Sequence, residues 1–261
     1  MGGCMKLKNV MLLLGVAVLC AAAVWARNMA GYTSRNVENL GAFTALDVRG
    51  DAEVDFMQRA DASVTLSGRD KLVNAVQVRV EANTLVISFA EPMFGKDKDK
   101  LHILVTAPEV TAITVSQNGE LDVRGALQAD ALTLTASQNG DISIDNLDLN
   151  TLSVTASDRA EVDVNRLAAK SVRAAASNHA EIELGGMARE VYLENNGSGD
   201  IDAGSLRAFS VKAVVNGSGD VEVFATDTLD ASAMGRGKIE YKGVPARINP
   251  VGNTRKIVQD L

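Results

Sequence analysis

The chain has 261 residues, 46% of them hydrophobic, 23% charged and 4% aromatic, with a formal net charge of −7. That length fits one large or two ordinary domains, and the apolar share excludes a largely disordered chain. The acidic balance argues against a nucleic-acid-binding surface, and 2 His with 2 Cys nearly exclude Cys–His catalysis and metal sites built from those residues.

Residues 1–26 have the pattern of a cleavable signal peptide. Lys6 and Lys8 precede the apolar run from Val10 to Val24, and no acidic residue comes before Glu38. The run is shorter than the roughly 20 residues that a spanning helix needs. Val24, Trp25 and Ala26 supply a cleavage site. Two alternatives stay open: lipidation at Cys20, and an uncleaved anchor with Trp25 and Arg27 at a membrane interface. Cys4 and Cys20 both lie in this segment, so cleavage would leave a cysteine-free chain in a compartment that permits disulfides. Residues 27–40 follow as an N-terminal linker.

Residues 41–108 are β-rich and are expected to form the first coils and a cap. Leu46-Asp47-Val48 and Val54-Asp55-Phe56 alternate around a corner at Ala52-Glu53. Val64 to Leu66, Val76 to Val80 and Leu85 to Phe89 continue the alternation, with a turn at Ala82-Asn83 and one helical turn at Lys71 to Ala75. Glu91 to Lys100 is expected to be a solvated loop.

From residue 110 to 258 the chain repeats itself. Ser116-Gln117-Asn118-Gly119-Glu120-Leu121 returns as Ser137 to Ile142, Ser157 to Val162, Ser177 to Ile182, Asn196 to Ile201 and Asn216 to Val221. Two degenerate copies end at Ile239 and Ile257. The charged marker recurs at 120, 141, 161, 181, 200, 220, 238 and 256. Each copy places a period-two strand on either side of the turn, one face buried and one wet. A unit of about 20 residues with short strands cannot close a core alone, whereas stacked units can. The predicted fold is an all-β, single-stranded parallel β-solenoid with eight regular coils over 110–258 and no helix longer than a turn or two. Gly or Ala before each marker fits a corner where a Cβ is crowded or φ is positive. An antiparallel sandwich with Asn-Gly hairpins is the competing architecture. It leaves the constant order of the inward columns unexplained.

These residues bring a family into view. The Gly-Ser-Gly-Asp turns ending at Asp200 and Asp220, the opening Phe43 to Gly50 and the closing Ile239 to Pro245 resemble the auto-transporter adhesin family with the head GIN domain. The resemblance covers residues 41–258 and implies an exported β-helical envelope protein of Gram-negative bacteria, with no established catalytic residues. Four copies depart from it, carrying Gln-Asn-Gly, Asp-Arg-Ala or Asn-His-Ala in place of Gly-Ser-Gly.

Among chemistry-bearing residues, His102 in an apolar run reads as a strand-face residue and His179 as an exposed corner. Ser116, Ser137, Ser157 and Ser177 form one column that satisfies corner backbone groups. The acids stand out. Glu120, Asp141, Glu161, Glu181, Asp200 and Asp220 form one column, and Asp122, Asp163, Glu183, Asp202 and Glu222 a second, interrupted by Ser143. Both are expected to point outward on one face, as the candidate binding face. Carboxylates about 5 Å apart repel by roughly 0.8 kcal/mol even in water. Solubility and protection of a long β-surface from lateral aggregation account for the columns without any ligand. The functional expectation is a non-enzymatic, exported envelope or surface protein, adhesin-like in binding or scaffolding. It would face the periplasm, outer membrane or cell surface and bind an envelope protein, a glycan or a second copy, without nucleic acid. No cofactor is expected, calcium being the one candidate. The alternatives are a carbohydrate-active β-helix enzyme using carboxylates and a calcium-binding structural protein.

Overall fold

The computed structural model describes residues 31–89 and 101–260. The signal segment 1–26, with both cysteines, and the loop at 91–100 lie outside the described residues. Within the expected linker, Tyr32–Asn36 forms a strand, β1.

The regular part is the parallel solenoid that the repeat predicts. It makes about seven turns of roughly 20 residues each. In chain order its strands are β8 (Ala112–Ser116), β9 (Glu120–Gln128), β10 (Ala131–Ala136), β11 (Asp141–Ala156), β12 (Glu161–Ala176), β13 (Glu181–Asn195), β14 (Ile201–Val215), β15 (Val221–Ala233), β16 (Ile239–Lys242), β17 (Arg247–Gly252) and β18 (Ile257–Gln259). Every neighbouring pair runs parallel. The longest strands bend through two corners, so one coil presents three sides. One side follows the marker, a second spans the middle of the long strand, and the third precedes the next turn.

Register follows from side-chain columns, because a slip of one residue would turn every apolar residue outward. Leu121, Ile142, Val162, Ile182, Ile201, Val221 and Ile239 stack in one inward column, each at most 1% exposed. Each such side chain contributes about 1.5–3 kcal/mol by leaving water. Before each turn the inward column narrows to Ala136, Ala156, Ala176, Asn195, Val215 and Ala233, all buried. Asn195 is the polar exception. Its Nδ2 donates to the Gly199 carbonyl (2.7 Å), and its Oδ1 accepts from the Gly197 N–H (2.9 Å).

The corners come in two forms. In the earlier coils the residue after the serine lies in the left-handed region: Gln117, Gln138, Asp158 and Asn178 have φ between 59° and 66°. The expected positive φ therefore falls two residues before the Gly or Ala. The glycine of the later corners answers to crowding instead. A Cβ on Gly219 would lie 1.9 Å from the Gly199 carbonyl oxygen of the coil beneath.

The N-terminal part is stacked out of chain order. β2 (Ala45–Arg49) and β3 (Glu53–Gln58) form a coil that lies under β8 and β9. On the other side of that coil sit β6 (Thr84–Phe89) and β7 (Leu101–Ala107), which come later in sequence. The cap is antiparallel. β4 (Ser63–Arg69) pairs with β7 and β1 with β4, while β5 (Val76–Glu81) forms a hairpin with β6. Ala82 and Asn83 both have positive φ, as a type I′ turn requires. A short helix, α1 (Asp70–Ala75), buries Leu72 and Val73 against the end of the core. At the opposite end β17 and β18 are edge strands. Pro250 lies on β17 where the alternation of the ladder turns the N–H position away from the sheet, a place where proline costs no hydrogen bond.

Candidate functional site

Residue alternation places the expected acids outward, and the parallel register lines them up. Glu120 pairs with Asp141, Asp141 with Glu161, and Glu161 with Glu181. In the second column Asp122 is followed by Ser143, Asp163, Glu183, Asp202, Glu222 and Glu240. The first coil lengthens both: Glu53 stacks on Glu120 and Asp55 on Asp122. Those two were legible at the Ala52-Glu53 corner but were not assigned to the columns.

The structure divides this face into three zones. At the N-terminal end Arg124 bridges Asp55 and Asp122, with 2.6 Å contacts to each. Desolvation raises the Asp122 pKa, and Arg124 partly offsets it. Towards the other end the acids serve the fold. Asp200 accepts the Asp220 backbone N–H (2.7 Å), Asp220 accepts that of Lys238 (2.9 Å), and Asp202 accepts that of Gly204 (2.8 Å). Lys238 lies 2.8 Å from Glu240 and 3.6 Å from Asp220, and Lys242 lies 3.6 Å from Glu222.

The middle zone differs. Among the described residues no cation pairs with Asp141, Glu161, Asp163, Glu181 or Glu183. Desolvation and the carboxylates of Glu161, Glu120, Asp163 and Asp122 push Asp141 up to about 6. Desolvation, Glu161, Glu183 and Glu181 do the same to Asp163, also to about 6. These acids hold negative charge at one-coil spacing, yet they are strung out in rows. Among the described residues no three His, Cys, Asp or Glu side chains gather as a metal ion needs.

The other singled-out residues take surface positions. His102 is exposed on β7 and His179 at a corner. The serine column is half-buried, with the Ser177 hydroxyl 3.5 Å from the Ala156 carbonyl. Beside His179 lies an open hollow of about 520 Å³ lined by Gln138, Asn139, Asp158, Arg159 and Asn178. Its only carboxylate is Asp158, which accepts from Asn178 (3.0 Å). Glycoside hydrolysis ordinarily needs two carboxylates flanking the bond.

A family model described as "Putative auto-transporter adhesin, head GIN domain" matches residues 42–245. A solved structure of a "putative adhesin" from Parabacteroides distasonis ATCC 8503 is 25% identical, with a TM-score of 0.79 over 88% of this chain and 97% of that one. A "putative lipid binding protein" from the same organism is 18% identical, with a TM-score of 0.77 over 88% and 97% of the two chains. A "putative adhesin" from Bacteroides fragilis NCTC 9343 is 24% identical, with a TM-score of 0.62 over 88% and 97%. Among curated proteins none matches by sequence.

Proposed function

The chain belongs to the family described as "Putative auto-transporter adhesin, head GIN domain", and from that premise we propose that it is an exported, non-enzymatic surface protein that binds through an extended solenoid face. The observation that carries this reading is the middle zone of the acidic face. Five carboxylates, at Asp141, Glu161, Asp163, Glu181 and Glu183, stand in register without a cationic partner among the described residues. A surface under no demand from a partner mixes signs. Here desolvation, and then the like charges beside them, raise two of the pKa values to about 6. A basic segment of an envelope protein, or an amino-bearing glycan, relieves that repulsion on binding. An extended array suits such a ligand better than a point-like one. The carbohydrate-active alternative draws less support, because the acids form rows on a wet face and not a facing pair across a cleft.

The test uses a lysine-rich peptide as probe in a titration at two salt concentrations. Binding that weakens with salt, and is lost on combining Glu161→Gln, Asp163→Asn, Glu181→Gln and Glu183→Gln, supports the proposal. A variant that binds the peptide as well as wild type overturns it.

A further inference from the structure

On the side of the solenoid formed by the middle of the long strands, the register stacks Ala168, Met187, Arg207 and Phe224 in one outward column. Two residues further along each coil stand Lys170, Arg189 and Phe209. The result is a block in which the cations Lys170, Arg189 and Arg207 stand beside the large apolar side chains Met187, Phe209 and Phe224. Met187 is 65% exposed and Phe209 52%. The Arg189 guanidinium lies 5.9 Å from the Phe209 ring centroid, and that of Arg207 lies 5.0 Å from the Phe224 ring. Glu190, 4.0 Å from Arg189, is the one carboxylate within ion-pair distance of these cations among the described residues. Asp227, on the neighbouring row, is turned to Arg247 at 3.5 Å.

We infer that this block is an attachment site for an anionic lipid bilayer, with Met187 and Phe209 entering the interface and Lys170, Arg189 and Arg207 meeting the headgroups. Three observations select that occupant. The block is basic in a chain whose net charge is −7, so a negative surface attracts it while repelling the acidic face and fixes the orientation of the molecule. The block spans three coil spacings of about 4.8 Å by a column width of about 7 Å. That is far below the roughly 800 Å² per partner of a standard protein interface, whereas a bilayer sets no minimum area. A sugar would stack on open aromatic faces, but here the guanidinium groups already lie over the rings. The protruding Met187 offers a sugar no hydrogen bond and suits hydrocarbon. This inference does not depend on ligand binding by the acidic face, and either proposal can fail alone.

The experiment is cosedimentation of the full chain with vesicles of phosphatidylcholine alone or mixed with phosphatidylglycerol. Each cation near an anionic surface strengthens partitioning about fivefold, so Lys170→Gln, Arg189→Gln and Arg207→Gln together should weaken it on the order of 100-fold. Because the apolar run near Val10 can itself hold a vesicle, a second measurement reads the site directly. A polarity-sensitive dye is placed on Met187→Cys, and as control on Ser143→Cys, in a chain carrying Cys4→Ser and Cys20→Ser. A blue shift at 187 and none at 143, only with the anionic vesicles, supports the inference. No shift at 187, equal shifts at both positions, or a dimer that the three neutral substitutions dissolve would overturn it.

Discussion

Neutralising Asp141 and Asp163 should remove a measurable part of the pH dependence of folding. Both carboxyls have been raised from an ordinary 3.8 to about 6 by desolvation and by their acidic neighbours on the adjoining coils. Between those two values the native state holds protons that the unfolded chain has released. Their contribution to stability is therefore fully present at low pH, falls as pH rises towards 6 and flattens above it. Taken at face value each shift is worth about 3 kcal/mol. Both side chains are part-exposed, and solvent screening cuts this to about 1 kcal/mol each, of which roughly half lies above pH 5. The pair should thus cost the wild type about 1 kcal/mol between pH 5 and pH 7.5, or about 2–4 °C in melting temperature. Urea unfolding of wild type and of Asp141→Asn with Asp163→Asn at both pH values measures it. The double variant should lose that slope and exceed wild-type stability at pH 7.5. If it retains the wild-type slope, or is the less stable protein at pH 7.5, the repulsion argument is wrong.

Other consequences are accessible to the same methods. Gly219→Ala should destabilise by about 3 kcal/mol or more, because its Cβ meets a backbone carbonyl oxygen at 1.9 Å, whereas Gly119→Ala meets movable valine methyls at 3.1 and 3.2 Å and the Ser116 carbonyl oxygen only at 3.3 Å, and should cost far less. Equal urea midpoints for the two would contradict the crowding account. Asn195→Ala should cost about 2 kcal/mol by stranding the Gly197 N–H and the Gly199 carbonyl, checked against Asn195→Asp in the same titration. Millimolar calcium should raise the melting temperature more than sodium at matched ionic strength, through a divalent counter-ion atmosphere along the acidic rows. The Glu161, Asp163, Glu181 and Glu183 variant should lose that difference, and superimposable curves in the two salts would reject it.

The regular coils were legible because one marker and one inward apolar residue recur at nearly constant spacing. The pairing of Ile142 with Leu121 and Val162 follows from that spacing alone. The acidic columns were legible for the same reason. Their division into zones was not, since it depends on where Arg124, Lys238 and Lys242 reach across coils. The left-handed corners at Gln117 and Gln138 were missed because glycine is the usual sign of that conformation, and here a polar side chain occupies it. The block around Met187 and Phe209 was missed because it lies away from the marker, where Gly186 and the unequal coil lengths break the column. The stacking order of the first coils left no sequence signal. Parallel strands of similar composition fit together in more than one order, and the antiparallel cap strands lack the repeat.

That stacking order shapes how the molecule comes into being. Leu46 faces Leu85 on one side and Ile113 on the other, so the earliest coil is held between two that the chain reaches only later. A polypeptide delivered amino end first cannot complete the first layer when it arrives. It must wait until β8 and β9 have crossed over to enclose it. Everything through Gln128 is therefore expected to assemble as one long-range unit with a high closure entropy, and to be the slow step. Beyond that point each further coil needs only its own short stretch and the finished surface below it, so growth becomes local, directional and quick. A chain interrupted after Phe89 would have no solenoid, whereas one interrupted after Val215 would have a shorter one.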